Sequence, residues 1–397
     1  MHPGPQPDER RVIAVPPAES RLAELHRLGQ SPWFDYINRA LIQRGGLKRM
    51  VDRDGLGGVT TNPAIFEKSI GGGKEYDEAI LTLGRQGLDA AQILDKLVID
   101  DVRAACDVLA PVYLATGGED GFVSIEVSPH LARDSKGSVA EAHRLFTAVD
   151  RPNVFVKIPG TREGVPAILQ CLKDGLNINI TLLFSLTQYE AVADAYLEAL
   201  EYRLGSDLTI RATSSVASFF VSRVDTFVDA MLDERAEAAA DLAERRRFES
   251  LKGRAAVANA KVAYERFRSY LNSREWQLIA ASGAKIQRVL WASTGVKDPA
   301  IPDTMYVDEL IGEHTVTTLP EATWKAFKEH GTPARSVDRH LEDAHRLLRE
   351  LSQAGIDLER VGAQLQNDGI DLFVAAFDGL TQIVEDKRVQ LLAGEGS

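Results

Sequence analysis

The sequence contains few cysteines and no long hydrophobic run. Its two cysteines, Cys106 and Cys171, lie in apolar, helix-like surroundings, and there is no CxxC motif or cysteine–histidine cluster. We therefore expect reduced thiols in the core of a cytoplasmic protein. No stretch of about 18 apolar residues is present, so no transmembrane helix is expected. Residues 1–20 are rich in proline and charge and lack the apolar segment of a signal peptide.

Basic charge is not in excess either. The chain has 46 lysines and arginines against 58 aspartates and glutamates, a formal net charge of −12, and no long basic stripe. This balance argues against a nucleic-acid-binding surface, although it leaves room for a small basic pocket that binds a phosphorylated metabolite. The sequence also lacks GxxxxGK[ST], GxGxxG, HExxH and GxSxG motifs, and its eight histidines are scattered. We expect neither a metal nor a cofactor.

Short branched or aromatic segments recur along the chain, bounded by turn-forming residues, and most are separated by a helical segment. They predict eight strands, near Trp33, Val59, Val123, Val154, Ile178, Val216, Val289 and Val316. This order predicts a (β/α)₈ TIM barrel, whose active site lies at the carboxyl ends of its strands. A doubly wound open sheet is the alternative. We favour the barrel because polar residues follow strand after strand, and only a closed barrel brings them all to one point.

The remaining segments predict the domain organisation. Residues 1–30 form a partly disordered extension, and residues 31–397 form one barrel domain with a helical insertion at about 232–285 and C-terminal helices at about 321–395. Helices are predicted, among other places, over Ile37–Met50 and Ala90–Leu109.

One stretch, Val154-Phe155-Val156-Lys157-Ile158-Pro159-Gly160, places a lysine near the end of a buried strand. Burial disfavours the charged form of an amine, and a neutral amine attacks carbonyl groups. Lys157 is therefore the candidate Schiff-base nucleophile. The alternative is a lysine that extends from the strand end to solvent.

Polar residues at the other predicted strand ends suit Schiff-base chemistry. Asp35 is a candidate acid–base group, and Glu126 with Thr181 could hold a water that carries protons. Amides and hydroxyls could hold substrate hydroxyl groups, and cations could bind a phosphate. The candidates for substrate binding are Asn62, Asn179, Ser218, Phe220, Ser293, Arg223 and Lys297. Each has an ordinary alternative on its own: Asp35 as a turn or cap residue, Asn62 as a turn before Pro63, and Arg223 as a surface charge.

The chain resembles the transaldolase family from about Ser31 to the C-terminal helices, most closely its longer bacterial branch. The resemblance rests on Val59-Thr60-Thr61-Asn62-Pro63, Ser124-Ile125-Glu126-Val127, Val156-Lys157-Ile158-Pro159, residues 177–185 (NINITLLFS) and residues 218–223 (SFFVSR). It implies a class I aldolase barrel with the Schiff-base lysine on the fourth strand. It also implies transfer of a dihydroxyacetone unit from sedoheptulose 7-phosphate to glyceraldehyde 3-phosphate, in the non-oxidative pentose phosphate pathway.

By position, the resemblance assigns the Schiff base to Lys157, acid–base catalysis to Asp35 and the catalytic water to Glu126 and Thr181. It assigns substrate contacts to Asn62, Asn179, Ser218 and Arg223. Shorter transaldolases carry an arginine soon after the seventh strand. Here the segment is Ala292-Ser293-Thr294-Gly295-Val296-Lys297, so the phosphate role passes to Lys297.

The related fructose 6-phosphate aldolases have glutamine and tyrosine where this chain has Glu126 and Phe220, which favours the transferase. The alternatives are an aldolase-like lyase and a barrel that binds sugar phosphates without catalysis. Sugar phosphates are the only partners expected, with no nucleic acid and no membrane, and the protein would be a monomer or homodimer.

Overall fold

The computed structural model describes residues 20–394. Eight parallel strands form a closed barrel in sequence order, with β8 paired to β1. The strands are β1 (Gln30–Phe34), β2 (Gly58–Val59), β3 (Phe122–Glu126), β4 (Val154–Pro159), β5 (Ile178–Leu183), β6 (Ser215–Phe220), β7 (Arg288–Ala292) and β8 (Thr315–Leu319). The predicted TIM barrel is therefore confirmed, and the open sheet is wrong because the first and last strands are hydrogen-bonded neighbours.

Helices surround the barrel and continue beyond it. They are α1 (Arg21–Arg27), α2 (Arg39–Gln43), α3 (Gly46–Asp54), α4 (Pro63–Gly71), α5 (Asp77–Arg85), α6 (Ala90–Ala115), α7 (Ser135–Val149), α8 (Gly164–Lys173), α9 (Leu186–Gly205), α10 (Ser222–Glu237), α11 (Leu242–Glu249), α12 (Ala255–Leu271), α13 (Arg274–Ala281), α14 (Met305–Asp308), α15 (Glu321–His330), α16 (Leu341–Gln353) and α17 (Leu358–Ala393). A short 3₁₀ helix covers Pro129–Leu131. No helix within residues 20–394 is long and apolar enough to span a membrane.

Aromatic side chains fill the barrel near the amino ends of its strands. The Phe122 and Phe155 rings stack with centroids 4.1 Å apart, and the centroid of Trp33 lies 6.0 Å from that of Phe155. The Trp33 indole donates a 2.8 Å hydrogen bond to Asp120. Gly58 makes room for the indole, since a Cβ there would lie 2.5 Å from its ring. This packed layer fills the barrel interior near the amino ends of the strands, and TIM barrels carry their active sites at the opposite, carboxyl ends.

Two local expectations are corrected. The helix predicted over Ile37–Met50 is two helices, α2 and α3, because Gly45 adopts a left-handed conformation with φ of 68°. The residues after Asn62, where only a turn was expected, form α4. Asn62 caps this helix by accepting the N–H of Ile65, and Pro63 occupies its first position, where the missing N–H costs nothing. Expectations for residues 1–19 and 395–397 lie outside the described residues.

Candidate active site

A cavity of about 300 Å³ opens at the carboxyl ends of the strands. Of the residues predicted from the sequence, all but Glu126 line it: Asp35, Asn62, Lys157, Asn179, Thr181, Ser218, Phe220, Arg223, Ser293 and Lys297. Thr60, Leu290, Ala292, Gly295, Val296, Thr318, Pro320 and Phe373 complete its walls. The barrel thus brings together side chains from seven strands or strand ends, all but β3, with one residue from the distant α17.

Strand register explains why three candidate side chains stand side by side. Glu126 on β3 is the Cα partner of Lys157 on β4, and Lys157 is the Cα partner of Asn179 on β5. Directly paired residues in a sheet point to the same face, which here is the barrel interior. Glu126 therefore reaches Lys157 although it does not line the cavity itself.

The lysine remains inside the barrel. Lys157 is 6% exposed, and its Nζ donates a 2.9 Å hydrogen bond to the carbonyl oxygen of Thr61. The same Nζ lies 3.6 Å from Oε2 of Glu126, which is an ion-pair distance but too long for a hydrogen bond. The geometry disagrees with a lysine that extends to solvent. The amine is instead held at the floor of the cavity.

Two carboxyl groups near the amine have perturbed acidity. Burial raises the pKa of Asp35, while a 2.6 Å hydrogen bond from Thr60 and the charge of Lys157 act in the opposite direction. Burial likewise raises the pKa of Glu126, opposed by the positive charge of Lys157. Raising the pKa of a carboxyl group brings it closer to neutral pH, where the group can both release and accept a proton.

Two buried oxygens in this region have no hydrogen-bond partner among the described residues: Oε2 of Glu126 and Oγ1 of Thr181. An unpaired buried polar atom costs about 1–3 kcal/mol, so such atoms usually serve a ligand or an ordered water. Both residues come from strands that flank Lys157. The arrangement provides polar atoms for a small polar molecule beside the amine.

The amide of Asn179 is held in a defined orientation. Its Nδ2 donates to Ser124 at 3.0 Å, and its Oδ1 accepts a 2.6 Å hydrogen bond from the Ser218 hydroxyl. One N–H of Asn179 remains for a ligand. Ser218 uses its only proton on the amide, so toward a ligand it presents lone pairs and not a donor.

The positive side of the cavity is formed by Arg223 and Lys297. The Arg223 guanidinium carbon lies 5.6 Å from the centre of the Phe220 ring, and its side chain has no hydrogen bond or ion pair within residues 20–394. Burial lowers its pKa. Lys297 is exposed at the rim. A half-buried guanidinium without a protein acceptor is suited to bind an external anion.

The loop after β7 brings Ser293 to the same side. Ser293 has a left-handed backbone with φ of 58°, which is unusual for a residue other than glycine, and its hydroxyl lies 2.9 Å from that of Ser222. Ser222 is the first residue of α10, so the amino end of this helix lies beside the cavity. The partial positive charge of a helix amino end favours an anion there.

Sequence analysis missed two residues of the site. Thr60 belongs to a quoted motif, but only its neighbour Asn62 received a role, and the hydrogen bond to Asp35 joins two strands. Phe373 lies on α17, in a segment predicted only as part of the C-terminal helices. Nothing local in the sequence indicates that its ring reaches the barrel.

The side chains of residues 20–394 form no group of three or more metal-ligating residues. Cys106 and Cys171 are free and buried, away from the cavity, and burial raises the pKa of the Cys171 thiol to about 12. The chemical groups in and beside the cavity are therefore the buried amine of Lys157, the carboxyl groups of Asp35 and Glu126, amides, hydroxyls and an anion-binding side.

The described geometry agrees with comparisons to known proteins. The family model for transaldolase/fructose-6-phosphate aldolase matches residues 32–384. A protein named transaldolase from Trichodesmium erythraeum is 42% identical over 374 residues, which cover 94% of this chain and 98% of the relative. Transaldolases from Parafrankia sp. and Neisseria gonorrhoeae are each 43% identical, over 93% and 90% of this chain and 98% of each relative.

Proposed function

This chain belongs to the transaldolase/fructose-6-phosphate aldolase family, and we propose that it is a transaldolase whose reaction runs through a Schiff base at Lys157. It moves a dihydroxyacetone unit between the donors sedoheptulose 7-phosphate and fructose 6-phosphate and the aldehydes glyceraldehyde 3-phosphate and erythrose 4-phosphate. This reaction belongs to the non-oxidative pentose phosphate pathway. The observation that carries the proposal is the buried amine of Lys157 at the floor of a polar cavity.

The first step is addition of the amine to the donor ketone. The Lys157 nitrogen forms a bond to the carbonyl carbon and gives a carbinolamine, which loses water to become an iminium. Protons must reach and leave the oxygen during both changes. We assign this transfer to Glu126 through a water molecule that also bonds Thr181, which the unpaired Oε2 and Oγ1 atoms support.

The second step breaks a carbon–carbon bond. Asp35 removes the proton from the hydroxyl next to that bond, the aldehyde product leaves, and the electron pair moves into the iminium to form an enamine. Thr60 orients Asp35 for this transfer. The bond to the acceptor aldehyde forms by the same steps in reverse, and hydrolysis of the new Schiff base releases the product.

Amide groups and cations would hold the substrate during these steps. The free N–H of Asn179, together with Asn62, is assigned to hydroxyl groups of the dihydroxyacetone unit. Arg223 is assigned to the substrate phosphate, with Lys297 and the Ser293 hydroxyl beside it. An anion near Arg223 would accept charge-assisted hydrogen bonds from a guanidinium that has no acceptor within residues 20–394.

Borohydride reduction tests the Schiff base directly. With fructose 6-phosphate present, we expect a dihydroxyacetone-derived mass on the Lys157 peptide, because reduction converts the iminium into a stable amine. Lys157→Met should abolish the adduct. Lys285→Met is the matched control, since Lys285 is also buried, at 8% exposure, but lies at the opposite end of the barrel, where it donates to the carbonyl of Gly118. No adduct, or an adduct on another lysine, would refute the mechanism.

A lyase is the second candidate, because the matching family model also covers fructose 6-phosphate aldolases. A lyase would release free dihydroxyacetone rapidly without an acceptor aldehyde, whereas a transaldolase would retain the unit until an acceptor arrives. Phe220 in the cavity wall, where the lyases carry a hydroxyl-bearing tyrosine, favours the transferase. A barrel that only binds sugar phosphates has no physical need for a buried amine with two carboxyl groups of raised pKa beside it.

A further inference from the structure

The long C-terminal helix α17 places one of its faces on the carboxyl ends of β4 and β5. Gly362, Gln366, Gly369 and Phe373 are spaced four, three and four residues apart, so they lie along one face of this helix. The same face meets β5 and the residues after it, and Phe373 is the only residue of α17 that lines the active-site cavity within the described chain.

Two glycines permit an unusually close approach. A Cβ on Gly362 would lie 2.8 Å from the Cβ of Ser185, and a Cβ on Gly369 would lie 2.8 Å from Cδ2 of Leu182. Real Cβ atoms essentially never make contacts under 3.0 Å, so a larger residue at Gly362 would push the helix away from the backbone of Ser185, and one at Gly369 would displace the Leu182 side chain. Glycine at these two positions thus sets the depth at which Phe373 enters the barrel mouth.

Hydrogen bonds hold the helix at this depth. Nε2 of Gln366 donates to the carbonyl oxygens of Gly160 and Leu182, both at 2.9 Å. These carbonyls belong to the ends of β4 and β5, and Leu182 lies at a register shift in β5 with φ of 59°. Gln366 therefore ties α17 to the strands that carry Lys157 and Thr181.

The Phe373 ring then covers the reactive amine. The residue is 8% exposed, and its ring centre lies 5.9 Å from Nζ of Lys157. Phenylalanine offers no proton donor or acceptor. Solvent approaching the amine from the side of α17 meets this apolar ring, while the aldehyde acceptor has access from the cavity side with Arg223.

We propose that Phe373 is a specificity-determining residue that keeps the enamine on Lys157 available to an aldehyde and protects it from protonation by solvent. The inference rests on the proposed function. Protonation at the nucleophilic carbon would give the iminium of dihydroxyacetone. Water would then add to its carbon, and free dihydroxyacetone would leave as the lysine amine is restored. Phe373 thus sets the ratio of transfer to hydrolysis, because an apolar ring excludes the water that delivers the proton.

The test measures two products from the same enzyme. Wild type, Phe373→Leu and Phe373→Ala are supplied with fructose 6-phosphate, with and without erythrose 4-phosphate. Free dihydroxyacetone and sedoheptulose 7-phosphate are then quantified. Phe377→Ala is the matched control, since Phe377 lies one turn along α17 with its ring centre 5.9 Å from that of His130, away from the cavity. Borohydride trapping on Lys157 is run on every variant.

We expect the ratio of released dihydroxyacetone to transferred product to be higher in Phe373→Leu than in wild type and highest in Phe373→Ala. The increase for Phe373→Ala over wild type should be about tenfold. Phe377→Ala should keep the wild-type ratio. A loss of folded protein would lower both products together and leave the ratio unchanged, and Phe373→Leu retains apolar packing. An unchanged ratio with a normal Lys157 adduct would overturn the role of Phe373 while the transaldolase assignment stands. Absence of the adduct in wild type would overturn both.

Discussion

Arg223 gives the sharpest prediction because replacing it leaves no group in the described part of the chain without a hydrogen-bond partner. The guanidinium makes no hydrogen bond or ion pair within residues 20–394, and it lies 5.6 Å from the centre of the Phe220 ring. Arg223→Met keeps an unbranched apolar stem against that ring and deletes only the charge. We expect unchanged or slightly higher stability, since burial of the charge is unfavourable, as the lowered pKa of Arg223 indicates.

The effect on catalysis follows from the bonds that phosphate would make. Each charge-assisted hydrogen bond contributes about 1.5–3 kcal/mol, so two bonds from the guanidinium correspond to at least about 3 kcal/mol, or about 150-fold in kcat/KM. The loss should apply to fructose 6-phosphate and should be absent with unphosphorylated fructose, which lacks the anion. Lys297→Met, at the exposed rim, should cost less than about tenfold.

Steady-state kinetics with both donors and a urea denaturation curve measure these quantities. Equal losses for fructose 6-phosphate and fructose would mean that Arg223 acts on something other than phosphate. Wild-type kcat/KM for the phosphorylated donor would place the phosphate elsewhere in the cavity. A marked fall in stability would contradict the absence of a structural partner for the guanidinium.

Three other substitutions have defined outcomes. Glu126→Gln retains the size of the side chain but cannot exchange a proton, so adduct formation should slow by about 10²–10⁴-fold with an unchanged melting temperature; near-normal single-turnover rates would remove Glu126 from the proton pathway. Thr60→Val deletes the hydrogen bond that lowers the pKa of Asp35, so the acidic limb of the kcat profile should move to higher pH, and an unmoved limb would contradict the role of Asp35 as a base. Burial raises the pKa of Asp225 from near 3.8 to about 6, so its contribution to stability is present below about pH 3.8 and is lost as the pH rises through 6. The difference between these two pKa values corresponds to about 3 kcal/mol of unfolding free energy. Asp225→Asn should therefore flatten the dependence of unfolding free energy on pH between about pH 3.8 and 6, and an unaltered slope would refute the prediction.

The strands and the residues at their ends were predictable because they depend on short-range patterns. Alternation along a strand determines which side chains share a face, so Lys157 and the pairs around it could be assigned to the interior from a few residues each. The same logic favoured the barrel over the open sheet, and closure between β1 and β8 confirms it. Because the barrel is closed, the carboxyl ends of its strands surround one space, and ten of the predicted residues line the cavity there.

Helix boundaries were less predictable at glycine and proline, because each can lie within or begin a helix as well as end one. Gly45 could continue a helix or end it, and its left-handed conformation separates α2 from α3. Asn62 before Pro63 signals a turn, but the same pair also begins a helix, which is the outcome here. Pro111 remains inside α6, whose observed end at Ala115 is beyond the predicted one. In each case the decision depends on packing that a local pattern does not contain.

By itself, the sequence determined the order of eight strands, the polar residue that follows most of them and the buried lysine on the fourth. These properties arise from alternation, turn residues and hydrophobicity within a few positions. The tertiary structure decided which of these groups touch: Thr60 with Asp35, Ser218 with Asn179, and Phe373 over Lys157. The reason is distance along the chain, because contacts between residues far apart in sequence exist only after the barrel closes and α17 packs across its mouth.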